Sequence, residues 1–356
     1  MAKTVLVGIS GGVDSSMSAY LLKSQGYDVI TATMQIYDGK TKGLSEELSG
    51  CYGPSEAQDI EEAAAISKKI GASHYVIPLA EDYRREVLDY FTREYKKGRT
   101  PNPCVRCNQY LKFGLIREKA KQMGLQFDYF ATGHYCRVKY EDGRYKLLKA
   151  TDLTKDQSYF LARLKPTQLE GVIFPLGELT KVEVKKLASD LGFKDLAEKK
   201  ESQDFIAADS YDVLFKPEDA VSGSIVTAAG KTIGEHRGLI HYTVGQRRGV
   251  GLSGSAEPLY VTKLDTEHNR LVVGPKKELY RDGFEASDIN WFNGVPPQSL
   301  KAEVKIRQKS KAVPATVSTK GDNLSVTFDT PQLAVTPGQV AVFYNGDEVL
   351  GSGIIE

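Results

Sequence analysis

Residues 4 to 16, Thr-Val-Leu-Val-Gly-Ile-Ser-Gly-Gly-Val-Asp-Ser-Ser, constrain this chain more than any other stretch. The near-continuous apolar run from Val5 to Ile9 reads as a strand buried on both faces. It breaks at Ser10-Gly11-Gly12, and a helix follows, with Met17, Tyr20 and Leu21 on one face and Gly26 as its stop. A strand-to-helix turn exposes backbone N–H groups and a helix N-terminus, which together attract phosphate. Glycines there let the backbone approach an anion without a Cβ in the way. Ser10, Ser15 and Ser16 add hydroxyl donors. No Gly-Lys-Ser/Thr follows, so this is not a Walker loop, and the third glycine of the dinucleotide fingerprint is missing.

Strands and helices then alternate. Asp28–Met34 reads as a second strand, and residues 37–55 as a long polar loop containing Cys51. Ser55 and Gln58 form a capping-box pattern before a helix carrying Ile60, Ala63 and Ile66. His74–Leu79 is the next strand, followed by a helix with Val87, Tyr90, Phe91 and Tyr95. Two prolines between 98 and 108 forbid regular helix there. Another strand runs from Phe130 towards His134. The alternation predicts an α/β fold with a doubly wound parallel sheet. Ligands of such sheets bind beyond the carboxyl ends of the strands. Gly8–Ser16, Met34, the 98–108 segment and Gly133-His134 all fall there.

Thr180, with Glu183 three residues on, predicts a capped helix stopping at Gly192. From about 215 the texture becomes short β-type runs between glycine-rich turns, and from about 282 clear alternation predicts a small β-barrel. Three domains are expected: 1–211, a central β-rich module at 212–280, and a barrel at 281–356. Lys305, Arg307, Lys309 and Lys311 alternate with other residues, which on a strand puts four positive charges on one face. That face suits a phosphate backbone or, equally, a solvated edge strand. The 47 basic and 46 acidic residues nearly cancel, so any basic surface must be local. No apolar run is long enough to span a membrane, and the first residues do not read as a signal peptide. Four cysteines, two in Cys104-x-x-Cys107, suit a reducing, cytoplasmic setting and metal or redox chemistry.

The Ser10–Ser16 run resembles the pyrophosphate-binding loop of the ATP pyrophosphatase (PP-loop) superfamily, which splits ATP between its α and β phosphates. Further segments extend the likeness along the whole chain. They are Thr100–Pro103, Cys107-Asn108, Ala131–Tyr135, Lys155–Phe160, Gly234–Gly238, His241–Gly249 and Thr336–Gln339. Together they resemble the bacterial tRNA-specific 2-thiouridylases of the MnmA type, which replace oxygen by sulfur at carbon 2 of the wobble uridine. The resemblance implies that Gly8, Ile9, Ser10, Gly11, Gly12, Val13, Asp14, Ser15, Met34 and Gly133 hold ATP. It implies that Asp14 organises the phosphates with Mg²⁺. Asn102, Pro103 and Cys104 would line the extruded target base. His134, Lys155, Asp156, Gln157, Arg307, Gln308 and Gln339 would touch tRNA. A base oxygen leaves poorly until adenylation turns it into AMP, after which a sulfur nucleophile attacks carbon 2.

The chain departs from the family at its cysteines. The family pattern is Asp-x-x-Cys after Asn-Pro, with a second catalytic cysteine in a Ser-x-x-x-Cys-Phe-Ile segment. Here Cys104 stands in place of the Asp, and Glu201–Ile206 contains no cysteine. Cys51, Cys104 and Cys107 supply three thiolates at metal-ligand spacing, which suits a 4Fe-4S cluster with one open iron for hydrosulfide. The alternatives are a persulfide on Cys107 resolved by Cys104 or Cys51, and a structural zinc site. Cys136 reads as a small buried hydrophobe. The sulfur donor would be sulfide or a persulfide carrier protein. Two rival functions stay open: a PP-loop ligase acting on a small molecule, and a non-catalytic tRNA-binding or sulfur-carrier protein.

Overall fold

The structure, a computed structural model, describes residues 2–198, 204–252 and 257–356. They fall into two compact units. The first comprises Met1–Val87, Cys104–Asp209 and Asp347–Val349, and the second Leu88–Pro103, Ser210–Gly346 and Leu350–Glu356.

In the first unit the strands are β1 (Thr4–Gly8), β2 (Asp28–Gln35), β3 (Gly50–Tyr52), β4 (Ser73–Pro78), β5 (Tyr129–Ala131), β6 (Cys136–Glu141), β7 (Arg144–Lys149), β8 (Val172–Ile173) and β9 (Asp204–Ile206). A parallel sheet has the order β4-β2-β1-β5-β8. Val5, Leu6 and Val7 are fully buried, as a run apolar on both faces requires. The order proceeds outward from β1 through β2 to β4, then restarts at β5 on the other side. The topological switch point therefore lies between β1 and β5, where such sheets bind ligands. Beyond the carboxyl ends there lie Ile9–Gly12, leading into helix α1 (Val13–Ser24), and Thr132–His134. Val13 and Met17 of α1 join one apolar cluster with Tyr135, Val184 and Ala188.

Two helix starts test the capping patterns. Helix α2 (Glu56–Ile70) has Ser55 before it, but Ser55 is already helical in backbone and makes no capping bond. Gln58 instead donates to Glu62 at 3.2 Å. Glu56 takes over at this end: its Oε1 accepts from the N–H groups of Ile36 and Tyr37 at 2.7 and 2.9 Å, anchoring the chain after β2. The Thr180–Glu183 box is formed on helix Lys181–Asp190. Thr180→Ala is expected to lower stability by about 1 kcal/mol, read as a shifted urea midpoint at unchanged slope.

The segment around the prolines is a correction. Helix Pro103–Cys107 runs on into a wider π-helical turn, Asn108–Leu115. Pro103 sits at the first helical position, where its missing N–H costs nothing. Cys104 and Cys107 are therefore one helical turn apart. The long 37–55 loop likewise contains β3, which pairs in parallel with β9. Residues Glu201–Gln203 of the cysteine-free segment lie outside the described residues.

In the second unit, β10 (Gly223–Thr227), β11 (Thr232–His236), β12 (Leu259–Asp265) and β13 (Arg270–Pro275) form a sheet of order β11-β10-β13-β12. Then follow β14 (Tyr280–Trp291), β15 (Ser299–Lys305), β16 (Val313–Lys320), β17 (Asn323–Leu333), β18 (Val340–Asn345) and β19 (Glu348–Ile355). Their order β14-β17-β16-β15-β18-β19 closes through a β14–β19 pairing into a six-stranded antiparallel barrel. Val304, Val317, Val326 and Phe343 fill it. The alternating-charge strand is not formed. β15 ends at Lys305, and Arg307, Gln308, Lys309 and Lys311 lie in the following turn. Ser310 breaks the ladder by bonding back to Arg307, its N–H and its hydroxyl both donating to the Arg307 carbonyl. No helix among the described residues is long and apolar enough to cross a membrane.

Candidate active site

The phosphate loop is fixed at both ends. The Ile9 N–H donates to Ala32 O at 2.9 Å, and Thr33 Oγ1 donates to Ile9 O at 2.7 Å. Ser15 Oγ accepts from the Ser10 N–H at 3.1 Å and donates to Gly12 O at 3.2 Å, folding the loop over the helix start. Gly11 has φ +73°, a left-handed turn that favours glycine. The first intrahelical bond runs from the Ser16 N–H to Gly12 O at 3.2 Å. The N–H groups of Val13, Asp14 and Ser15 thus precede it and form the positive end of the helix dipole. Gly133 packs against this turn. A Cβ on it would stand 2.6 Å from Ser15 N and 2.8 Å from the Asp14 carbonyl carbon. Met34 lies at the carboxyl end of β2, two residues beyond Ala32, the register partner of Gly8. The residues expected to hold ATP therefore share one edge of the sheet.

Asp14 has partners that no sequence pattern indicated. Lys181 Nζ meets its two carboxylate oxygens at 2.8 and 2.7 Å, and the Tyr135 hydroxyl donates to Oδ1 at 2.8 Å. Tyr135 is itself held by Gln157, whose Oε1 accepts from the Tyr135 N–H and whose N–H donates to Tyr135 O. Lys181 escaped the sequence reading because it stands 167 residues from Asp14 in an unremarkable position, the first residue of a capped helix.

The three candidate thiols gather in the same unit. Cys51 is exposed on β3, while Cys104 and Cys107 are partly covered. β3 is held rigidly: Tyr52 stacks on Tyr83 with centroids 5.4 Å apart, and Tyr83 donates to Phe205 O of β9. Burial pushes the Cys104 thiol up to about 12, with Cys51 and Cys107 adding to the effect and Lys112 opposing it. Burial likewise takes Cys107 to about 11, against the pull of Lys112. Burial tends to lower Lys112, but Cys107, Cys51 and Cys104 outweigh it and raise its pKa. Burial, reinforced by Lys112, depresses His134 well below the usual histidine value, so it is neutral near pH 7; its Nδ1 is 2.7 Å from Thr132 Oγ1. Cys136 is fully buried on β6, a packing residue. No group of three or more His, Cys, Asp or Glu among the described residues could hold a metal ion. The cluster-ligand set expected of Cys51, Cys104 and Cys107 is not assembled.

With a pKa near 11, only about one Cys107 in ten thousand is a thiolate at pH 7. Alkylation by iodoacetamide, followed by peptide mass spectrometry, is therefore expected to modify Cys51 first. Cys107 modification should accelerate about tenfold per pH unit between pH 7 and 9. A plateau near pH 8 would contradict this environment.

Several expected RNA contacts are engaged within the protein. The Asp156 carboxylate accepts from the Ala150 and Ser158 N–H groups and from Ser158 Oγ. Lys155 opens the same turn, its N–H donating to Asp152 O. In the second unit the Arg307 guanidinium donates to Leu333 O and Ala334 O at 3.0 and 2.6 Å. Gln339 Nε2 donates to Thr100 O at 2.8 Å, while the Thr100 N–H donates to Pro337 O, so the Thr336–Gln339 turn clasps the chain two residues before Asn102 and three before Pro103. Gln308 lies in the turn after β15. His236 is structural: its Nδ1 accepts from the Gly238 N–H and its Nε2 faces Asn269 O.

Comparison with known proteins covers the whole chain. The family model of the tRNA methyl transferase HUP domain matches residues 3–207, that of the tRNA methyl transferase PRC-barrel domain 213–275, and that of the aminomethyltransferase beta-barrel domain 281–355. The chain is 43% identical over 357 residues to a tRNA-specific 2-thiouridylase MnmA of Endomicrobium trichonymphae, covering 99% of this chain and 98% of that one. It is 43% identical over 364 residues to the MnmA of Carboxydothermus hydrogenoformans, with 99% and 98% covered. For the MnmA of Geobacter metallireducens the identity is 44% over 363 residues, with 99% and 97% covered. A parallel-sheet domain of the PP-loop type, a middle PRC-barrel domain and a closed antiparallel barrel, matched end to end by such relatives, mark the chain as a member of the MnmA family of tRNA-specific 2-thiouridylases.

Proposed function

We propose that the protein thiolates carbon 2 of the wobble uridine of tRNA at the expense of ATP, in the cytoplasm. The observation that carries this reading is the Ser10–Ser16 loop at the switch point of the parallel sheet, in a chain whose relatives named for that reaction match it end to end. The three-domain division at 1–211, 212–280 and 281–356 belongs to the same proposal.

ATP would lie with its phosphates on the N–H groups of Val13–Ser15 and its nucleoside towards Met34 and Gly133. Asp14, whose carboxylate is already bonded to Lys181 and Tyr135, would organise a Mg²⁺ carried by the phosphates. Bound there, Mg²⁺ would neutralise phosphate charge. The extruded base, lined by Asn102, Pro103 and Cys104, presents its O2 to the α phosphorus. The bond to the β phosphate breaks and pyrophosphate leaves with the electron pair. Sulfur then adds at carbon 2, and AMP departs with the former base oxygen. In the first unit His134 and Lys155–Gln157 would meet tRNA, and in the second unit Arg307, Gln308 and Gln339 would do so. Asp156, Gln157, Arg307 and Gln339 would act chiefly by holding backbone in place.

No group among the described residues is arranged to hold a metal ion, and no step is routed through an iron-sulfur cluster. Cys107 would carry a persulfide received from a donor, sulfide with an oxidant or a persulfide carrier protein. A thiolate at Cys51 or Cys104 attacks the Cys107 sulfur, forming a disulfide and expelling hydrosulfide; a thiol reductant then restores both cysteines. Lys112, coupled electrostatically to all three thiols, favours the anionic sulfur at each stage. The test is single-turnover thiolation of tRNA by protein preloaded with persulfide. Wild type should yield thiolated tRNA and an internal disulfide, and Cys51→Ala or Cys104→Ala should identify the partner. A wild type that thiolates without forming a disulfide would overturn this route.

A further inference from the structure

We propose that Lys181 is the cation that receives the departing pyrophosphate. This deepens the ATP reading above and rests on it. Lys181 is only 8% exposed, yet its ammonium ends on the first turn of α1. Its aim is set independently of Asp14. The Thr180–Glu183 box fixes the helix start, the Lys181 N–H donates to Asp152 Oδ2 at 3.1 Å, and Val184 and Ala188 pack in one cluster with Val13 and Met17. The lysine is thus delivered to the phosphate loop by a separate, rigid element.

The chemistry there needs a cation. Ser10, Gly11 and Gly12 carry no charge, and the charged residue in the first turn of α1 is Asp14, an acid. A carboxylate suits a helix N-terminus but repels an incoming triphosphate. Lys181, assisted by the Tyr135 hydroxyl, cancels that charge. When the α–β bond breaks, the electron pair settles on a pyrophosphate oxygen and negative charge grows beside this ammonium. A fixed cation placed where charge develops lowers the barrier more than it tightens ground-state binding. No redox partner is required, and no proton is transferred.

The bland possibility is that Lys181 only neutralises Asp14. Two readouts separate the roles: binding of inorganic pyrophosphate with Mg²⁺ by calorimetry, and pyrophosphate release with tRNA and ATP. Variants are Asp14→Asn, Lys181→Met, Lys181→Arg and the charge-balanced pair Asp14→Asn with Lys181→Met. The expected result is that Lys181→Met weakens pyrophosphate binding at least tenfold, lowers kcat more than it raises KM, and is partly rescued by Lys181→Arg. The double variant should bind pyrophosphate at least tenfold more weakly than Asp14→Asn alone. A double variant that binds it as tightly as Asp14→Asn overturns the inference, even if Lys181→Met alone fails to fold. Wild type that binds neither ATP nor pyrophosphate would instead sink the ATP reading itself.

Discussion

Gly133→Ala is expected to abolish ATP binding at concentrations that saturate the wild type and to lower stability by about 2 kcal/mol. The added methyl would meet Ser15 N, the Asp14 carbonyl carbon and Ser15 Cα at 2.6 to 2.9 Å, all backbone atoms of the turn that offers N–H groups to phosphate. Neither side can yield without moving the helix start away from Tyr135 and Lys181. Gly12→Ala makes the instructive contrast. A Cβ there meets only Ser10 Oγ, at 3.6 Å, and the residue has φ −90°, so the fold should tolerate it. If phosphate approaches the loop backbone, Gly12→Ala keeps its melting temperature within a few degrees and still loses ATP affinity. Calorimetric titration with ATP and thermal unfolding of both variants check the pair. Unimpaired ATP binding by Gly133→Ala would remove the first turn of α1 from the nucleotide site.

Cys107→Ser is expected to reduce tRNA thiolation at least about a thousandfold while leaving the first turnover of pyrophosphate release intact, because loss of a nucleophile removes a covalent route and not the ATP site. The serine keeps the volume at a partly covered position, so stability should hold. Lys112→Met should act in the same direction but more weakly, since the ammonium opposes the effect of burial on Cys107 and Cys104. Quantifying thiolated nucleoside and pyrophosphate in the same reaction separates the two half-reactions. Thiolation that survives Cys107→Ser would assign sulfur to another carrier.

Local patterns reported the fold well where one face or both faces of an element are buried. The run Val5–Ile9, the β2 and β4 strands and the barrel strands all follow their hydrophobic periods. Patterns failed where a short segment is decided by its surroundings. Ser55 stands at the cap position but makes no capping bond; Glu56 instead takes the Ile36 and Tyr37 N–H groups, and Gln58 turns to Glu62. Pro103 looked like a breaker and is a helix initiator. The lysine and arginine alternation after Ala302 ignored Ser310, whose bonds to Arg307 turn the chain out of the ladder. The phosphate loop was legible because a contiguous motif builds it. Lys181 and Lys112 were not, because each acts through space on residues distant in sequence, and nothing local distinguishes them from solvated lysines. The cysteine spacing suggested metal ligands, yet spacing alone does not say whether the side chains converge.

The most direct measurement is nucleoside mass spectrometry of unmodified tRNA after incubation with the protein, ATP, Mg²⁺ and a sulfur donor, with pyrophosphate and AMP counted in the same reaction. The expected result is that the wobble uridine gains one sulfur for one oxygen, with one pyrophosphate and one AMP formed per modified base. Pyrophosphate formed with a small-molecule acceptor while the uridine keeps both its oxygens would contradict it.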